Sequence, residues 1–283
     1  MTPQPRTYSV NEFEFETLVD GPQSGPPIIL LHGFPETHNS WTAVSKLLTS
    51  KGMRSIAPNQ RGYSAGARPP HIADYRLDRL VADVIGLLDA LELNSAHLVG
   101  HDWGSAVAWA VAARHPDRIR TLTCASIPHT SAFSWALAND LDQQTRSGYI
   151  RRFWQQGKAE EELLADNSRG LRGLFGGHPD TAVADHNIGH LSERETLTAA
   201  LNWYRAMSPD DSALPPVRVP TTYLWGTQDA AMGRVGAELC QEFVTGPYTF
   251  IELEGVGHWV PAQATEALAT AVIDRVQASP DHL

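Results

Sequence analysis

The sequence is poor in cysteine, in basic charge and in long apolar runs. Cys124 and Cys240 are the only 2 cysteines among 283 residues and form no spaced framework. That excludes a disulfide scaffold and a zinc site built on thiolates. Lys and Arg number 22 against 32 Asp and Glu, giving a net charge of −10. This is the wrong sign for a surface that tracks phosphates, so no nucleic-acid partner is expected. The longest uninterrupted apolar run, Ala106–Ala113, falls far short of the roughly 20 residues a bilayer span requires, and no membrane association is expected. The stretch Met1–Asp20 mixes Pro, Gln, Arg, Asn and Glu and contains no apolar signal core. A cytoplasmic location is the expectation that follows.

What is present is the composition of an ordinary globular chain, 42% apolar and 19% charged, with ample material for a buried core. Up to about residue 128 short apolar runs alternate with helical patterns. Ile28–Leu31, Arg54–Ala57, Ala96–Val99 and Ile119–Ala125 read as strands. Trp41–Leu48, Leu77–Leu93 and Ser105–Arg114 read as helices, the second with Leu80, Val84, Leu87, Leu88 and Leu91 on one stripe. Such alternation predicts βαβ units and a mostly parallel sheet with helices on both faces. From about 130 to 208 no strand is evident; Trp, Arg, Gln, Glu and Ala recur at helical spacing, broken by the glycine-rich Gly170–Gly177. Ser208-Pro-Asp-Asp and Leu214-Pro-Pro then mark a linker. Thr221–Trp225 and Tyr248–Glu252 resume the strand pattern, and Thr265–Ala278 closes as a helix. The expected organisation is an α/β core, residues 1–129 and 209–283, interrupted by a helical cap over 130–208.

The segment Val99-Gly-His-Asp-Trp-Gly104 falls between a predicted strand and a predicted helix and reads Gly-x-Asp-x-Gly. This is the layout of a nucleophile elbow, a sharp turn that lifts one side chain above the sheet, with small residues on both sides because backbones approach closely. The raised residue is Asp102, at the position a serine holds in esterases. The plainer reading is a glycine-flanked turn with an aspartate capping the helix. Partners follow in the order this architecture uses, nucleophile then acid then histidine. Asp229 lies just past a predicted strand, in Trp225-Gly-Thr-Gln-Asp229, where catalytic loops gather in parallel sheets. The other strand end able to supply an acid reads Ser126-Ile-Pro-His129 and offers no carboxylate. His258, in Gly255-Val-Gly-His-Trp259, precedes the last helix. Alone, Asp229 is a turn residue and His258 a structural histidine among 12; as a set with Asp102 they are specific.

The loop Leu31-His-Gly-Phe-Pro-Glu36 follows the first clear strand, and the amides of Phe34 and Trp103 are the expected oxyanion hole. A carboxylate nucleophile displaces at saturated carbon and forms an alkyl ester. His258 would then activate water against the Asp102 carbonyl carbon, with Asp229 fixing the imidazole. Two leaving groups suit this scheme, a halide or the oxygen of a strained epoxide. A halide needs weak N–H donors, and Trp103 offers one. An alkoxide needs a positioned O–H that yields a proton. Of the 7 tyrosines, Tyr149 and Tyr204 fall in the expected cap, where plain packing is the alternative role.

His32-Gly-Phe-Pro-Glu36, Gly100-His-Asp-Trp-Gly104, Asn202-Trp-Tyr-Arg205, Gly226-Thr-Gln-Asp229 and Gly257-His-Trp259 together resemble the epoxide hydrolases of the α/β-hydrolase superfamily, from about residue 10 onward. The resemblance implies Asp102 as nucleophile, His258 as base, Asp229 as its partner, and two cap tyrosines holding the epoxide oxygen. Tyr204 matches through Asn-Trp-Tyr-Arg. Tyr149 matches through Gly148-Tyr-Ile-Arg-Arg-Phe153, although Arg152 stands where the family has an aromatic and Gln156 where it has proline. Asn59, in Pro58-Asn-Gln-Arg-Gly62, replaces the family's aspartate. Haloalkane dehalogenases share the fold and the nucleophile and form the alternative. Fluoroacetate dehalogenases usually have arginine where this chain has Trp103. A ligand receptor on the same fold is a third reading, which loss of a triad member would favour; none is lost.

The expectation is therefore a cofactor-free and metal-free hydrolase acting on a small lipophilic epoxide and water, with a homodimer left open. Trp103, Phe34, Trp203, Tyr149 and Tyr204 are the expected substrate contacts. Trp135 and Trp154 either line the pocket or pack the cap. His178, His186 and His190 have no Glu or Cys at useful spacing and read as cap surface. His32 and His101 read as structural hydrogen-bonding residues.

Overall fold

The computed structural model describes residues 5–208 and 213–279. The expected linker residues Pro209–Asp211 lie outside them, as do residues 1–4 of the polar N-terminal stretch. Eight strands form one sheet in the order β1-β2-β4-β3-β5-β6-β7-β8. They are β1 (Pro5–Val10), β2 (Phe13–Asp20), β3 (Pro27–Leu31), β4 (Arg54–Pro58), β5 (Ala96–His101), β6 (Ile119–Ala125), β7 (Thr221–Gly226) and β8 (Tyr248–Leu253). β1 and β2 pair antiparallel with each other, and β2 with β4; every other pairing is parallel. The mostly parallel α/β-hydrolase sheet is as the sequence predicts. The antiparallel β1–β2 hairpin is an addition. β1 is polar and mostly exposed at the sheet edge, β2 lies inside it with Phe15 and Thr17 buried, and the turn at Asn11 lacks the glycine that would mark it.

Period-two alternation along the buried strands sends side chains to both faces. Ile28 and Leu30 of β3 pack with Val44 and Leu48 of α1 (Thr42–Ser50) and Leu268 and Val272 of α12 (Thr265–Gln277). Ile29 and Leu31 face the other layer, with Leu80, Val84 and Leu88 of α2 (Leu77–Ala90) and Val107 and Val111 of α3 (Trp103–Arg114). Because both faces are covered, the strands read as continuous apolar runs rather than alternating ones. α2 stops at Ala90, three residues before the sequence pattern ends. Glu92 takes φ 55°, the Glu92 N–H bonds the Asp89 carbonyl and the Leu93 N–H bonds the Leu88 carbonyl, each at 2.9 Å. This left-handed cap satisfies the helix's last carbonyls.

Between β6 and β7 the described chain is helical from 130 to 205, with α4 (Thr130–Asn139), α5 (Leu141–Arg146), α6 (Ile150–Phe153), α7 (Lys158–Leu174), α8 (Thr181–Leu191) and α9 (Arg194–Arg205), and extended before β7, where Val217 bridges Val244. Gly170 and Gly173 stay within α7 instead of breaking it; the bend lies earlier, where Asp166, Asn167 and Ser168 take positive φ. α10 (Arg234–Leu239) and α11 (Val260–Gln263) complete the core. Strand order reverses between β3 and β5, and the loops leaving these two strands meet there, where ligands bind in open parallel sheets. Among the described residues no helix is long and apolar enough to cross a membrane.

Candidate active site

The turn from β5 into α3 holds Asp102 at φ 51°, ψ −126°, a conformation L-residues avoid. Close packing imposes it. A Cβ on Gly104 would lie 2.0 Å from the Leu31 carbonyl oxygen, so only glycine lets α3 start against β3. The Ser105 hydroxyl sits 2.8 Å from the carbonyls of both Gly100 and Ala125, tying the turn to β6. The His32–Glu36 loop passes so near that a Cβ on Gly33 would meet Asp102 Oδ1 at 2.2 Å. That proximity lets the Phe34 N–H donate to Asp102 Oδ1 at 2.8 Å. Trp103 opens α3, so its N–H is among the helix amides without an intrahelical acceptor, and the positive helix end faces the carboxylate. The Phe34–Pro35 bond is cis.

His32 acts structurally, as expected. Its Nε2 accepts from the Gln60 N–H at 3.2 Å, which leaves Nδ1 to donate to the Gly33 carbonyl at 3.0 Å. Burial lowers its pKa to about 3, so the ring is a neutral brace for the loop. His101 is also a brace: its Nδ1 lies 3.0 Å from Glu36 Oε2 and its Nε2 2.8 Å from the His258 carbonyl.

Asp229 and His258 arrive from the loops after β7 and β8. His258 Nδ1 is 3.0 Å from Asp229 Oδ1, and His258 Nε2 is 3.6 Å from Asp102 Oδ2. Asp229 is fully buried; its Oδ1 accepts the N–H groups of Ala231 (2.8 Å) and Met232 (3.1 Å) and its Oδ2 the Ser126 hydroxyl (2.7 Å). Burial would raise the Asp229 pKa, but the His258 charge and these hydrogen bonds hold it below the usual carboxylate value. His258 is the mirror case. Burial opposes its cation, yet Asp229 and Asp102 together push its pKa well above the usual imidazole value. Sequence reasoning passed over Ser126 because it sought a carboxylate. The position itself was the signal: Ser126 directly follows β6, the strand beside β7, and takes φ 71°, with its hydroxyl 3.0 Å from His258 Nδ1.

Above Asp102 is a cavity of about 480 Å³, walled by Trp103, Tyr149 and Tyr204 together with apolar side chains that include Phe133, Leu137 and Met232. Among the described residues Asp102 is the one acidic or basic residue on its wall. The Tyr149 and Tyr204 rings stand 6.0 Å apart, and the Trp103 indole lies edge-on 5.2 Å from Tyr204. Burial first, then the Asp102 charge among its neighbours, raises both tyrosine pKa values, so both hydroxyls keep their protons. Two expected substrate contacts lie elsewhere. Trp203 is buried away from the cavity, donating its indole N–H to the Arg61 carbonyl at 2.9 Å and packing on Tyr63. The Phe34 ring packs on Phe153 and Tyr204, and only its amide points at Asp102. Trp154 does line the cavity and donates to the Tyr204 carbonyl at 2.9 Å, whereas Trp135 is 49% exposed and off the wall.

The Asn-Trp-Tyr-Arg motif gains a physical role for its last residue. Arg205 makes a buried two-pronged pair with Glu160 at 2.8 and 3.0 Å and donates to the Phe153 carbonyl at 3.0 Å. It thereby fixes α6, α7 and α9 around Tyr204. Asn59 is also explained: its amide donates to Glu16 at 3.1 Å, where an aspartate would face another carboxylate. The cap-surface reading of the three histidines is corrected in part. The His178 side chain is 1% exposed, packed on Trp259 and 3.7 Å from Glu36, because the loop after α7 folds inward. His186 contacts Asn39 and His190 the Tyr63 carbonyl. Among the described residues no group of His, Cys, Asp and Glu is arranged to hold a metal.

The sheet, the strained aspartate turn and the loop-borne acid and histidine define an α/β hydrolase, and the family model described as the alpha/beta hydrolase fold matches residues 26–160. Epoxide hydrolase A of Mycobacterium tuberculosis is 30% identical, with 94% of this chain and 96% of that one aligned. The AB hydrolase superfamily protein YfhM of Bacillus subtilis is 32% identical over 89% of this chain and 90% of its own. Among solved structures, epoxide hydrolase A from Mycobacterium thermoresistibile superposes with a TM-score of 0.85 at 29% identity, covering 98% and 99% of the two chains. The chain belongs to the epoxide hydrolase family, whose members are hydrolases acting on ether bonds.

Proposed function

We propose that this enzyme opens lipophilic epoxides to vicinal diols through an ester on Asp102. The observation that carries this is a carboxylate, not a hydroxyl, on the strained turn, facing two protonated tyrosines across an apolar cavity. Residues 130–208 act as the cap and the flanking segments as the core. The Phe34 amide engages Oδ1, which leaves Oδ2 as the attacking atom. Oδ2 bonds the less hindered or more electrophilic ring carbon as the carbon–oxygen bond breaks. Tyr149 and Tyr204 hold the ring oxygen, and one of them donates the proton that makes the hydroxyl.

Ester formation neutralises Asp102 and removes one of the two anions that hold His258 protonated. The histidine releases its proton, restoring the tyrosine through solvent, and becomes a base. It takes a proton from water, whose oxygen bonds Cγ of Asp102. The resulting oxyanion at Oδ1 is held by the amides of Phe34 and Trp103. Collapse breaks the Cγ–Oδ2 bond; the departing oxygen takes a proton from the His258 cation, which is recharged by the remaining proton of the water-derived hydroxyl, so that the diol leaves with the original Oδ2 and the water oxygen stays on the Asp102 carboxylate. Asp229, braced by Ser126, orients and stabilises the His258 cation.

No step calls for a metal or cofactor. The two buried free thiols, Cys124 and Cys240, fit a reducing compartment, and the cytoplasm is the proposed location. The test is one incubation with aryl and alkyl epoxides and short haloalkanes, scoring diol and halide together. Diol without halide, abolished by Asp102→Asn, is the expected result. Halide without diol would overturn it and make Trp103, on the cavity wall, the working leaving-group donor.

A further inference from the structure

The loop that carries Asp229 is gripped from the helical segment by α5. Gln143 of α5 is 1% exposed, and its carboxamide faces this loop with both ends engaged. Its Nε2 donates to the Ala231 carbonyl at 2.9 Å, and its Oε1 accepts the Gly233 N–H at 2.9 Å. One turn on, Arg146 donates to the Asp229 carbonyl itself, held in place by Asp142 at 2.7 Å. The approach is close enough that a Cβ on Gly233 would meet Asp142 Oδ2 at 2.9 Å.

These contacts bear on the acid directly. The peptide unit joining Ala231 to Met232 presents its carbonyl to Gln143 and its N–H to Asp229 Oδ1. Gln143 therefore fixes the plane of a group that sets the Asp229 carboxylate, and it polarises that N–H toward the acid. The next unit is fixed in the same way: the Met232 carbonyl accepts the Trp225 indole N–H at 3.1 Å while the Gly233 N–H is held by Gln143. A buried carboxamide with both ends satisfied specifies one loop conformation.

We infer that Gln143 is a positioning residue for the Asp229–His258 pair, through which the helical segment sets the rate of ester hydrolysis without affecting ester formation. The inference rests on the Asp102 ester proposed above. Formation needs Asp102 and the cavity tyrosines, none of which Gln143 touches; hydrolysis needs the imidazole that Asp229 orients.

The experiment follows ester formation and decay separately, by rapid quenching and intact-protein mass measurement with a styrene-type epoxide, in wild type, Gln143→Leu and Gln143→Glu. For Gln143→Leu the expected result is ester decay slowed about tenfold, the loss of hydrogen bonds to one loop, with unchanged ester formation. In steady state kcat and KM then fall together and kcat/KM holds. Gln143→Glu keeps an acceptor for the Gly233 N–H and loses the donor, so it is expected to fall between the two. It also serves as the test should the leucine variant not fold. Equal slowing of formation and decay, or no slowing of decay in either variant, would overturn the inference. A wild-type enzyme that turns over epoxide with no ester at any time would instead overturn the Asp102 mechanism, and this inference with it.

Discussion

The two sides of the cavity are held by different means. On the core side Asp102 is positioned by backbone: a strained turn, glycines that admit neighbouring strands, and amides within three residues of a strand end. On the helical side Tyr204 and Tyr149 are positioned by side chains, chiefly a buried Arg205–Glu160 pair and ring-to-ring packing with Phe153. A core built on backbone leaves little room for substitution. A roof built on side chains can change the pocket while the chemistry below it stays fixed.

Substitutions should therefore fail differently on the two sides. Gly104→Ala is expected to give the largest effect, no recoverable folded protein or a loss above about 4 kcal/mol, because the new methyl would sit 2.0 Å from a backbone oxygen that cannot move. Denaturant unfolding measures it, and a folded variant within about 1 kcal/mol of wild type would break the comparison. Arg205→Met removes one partner of a buried ion pair, which typically costs about 3–5 kcal/mol because the remaining charge is stranded. Its unfolding should also become less cooperative, the helical segment loosening before the sheet. Tyr204→Phe should leave stability within about 1 kcal/mol and slow ester formation about 100-fold, the usual worth of one general acid; stopped-flow kinetics would show whether formation alone is affected.

The smallest effect is electrostatic. His258 has its pKa raised above the ordinary 6.5 by two anions, against the opposing effect of burial. The stabilisation from its charged form is thus complete below pH 6.5 and fades as pH rises through the elevated folded-state value. Replacing Asp102 by Asn removes one anion, so imidazole NMR should find His258 titrating at lower pH in that variant. An unchanged titration would mean that Asp229 alone sets the histidine, and that ester formation does not switch it to a base.

The core was legible because its devices are local. Gly-x-Asp-x-Gly at a strand end, a Gly-Phe-Pro loop after the first buried strand, and an Asp and a His past later strands each follow from short-range backbone demands. The β1–β2 hairpin escaped notice because its edge strand β1 is polar and exposed and its turn has no glycine, although Phe13 and Phe15 of β2 alternate with Glu14 and Glu16. In the helical segment the aromatic residues were visible but their directions were not. Trp203 and Tyr204 are neighbours in sequence, and which of them meets the cavity depends on the rotation of α9, set by Glu160, which pairs with Arg205, and by Arg61, which accepts from Trp203, both from distant positions. His178 and Gln143 were illegible for the same reason: each matters through a partner 88 or more residues away, and nothing next to them in sequence announces it.

The most direct measurement is a single turnover in water enriched in oxygen-18, with enzyme in excess over epoxide, followed by mass analysis of the diol and of the peptide that contains Asp102. The expected result is unlabelled diol and one heavy oxygen on Asp102, because the diol's second hydroxyl comes from the carboxylate and water refills it. Heavy diol with an unlabelled Asp102 would contradict the ester mechanism and leave His258 activating water directly against the epoxide.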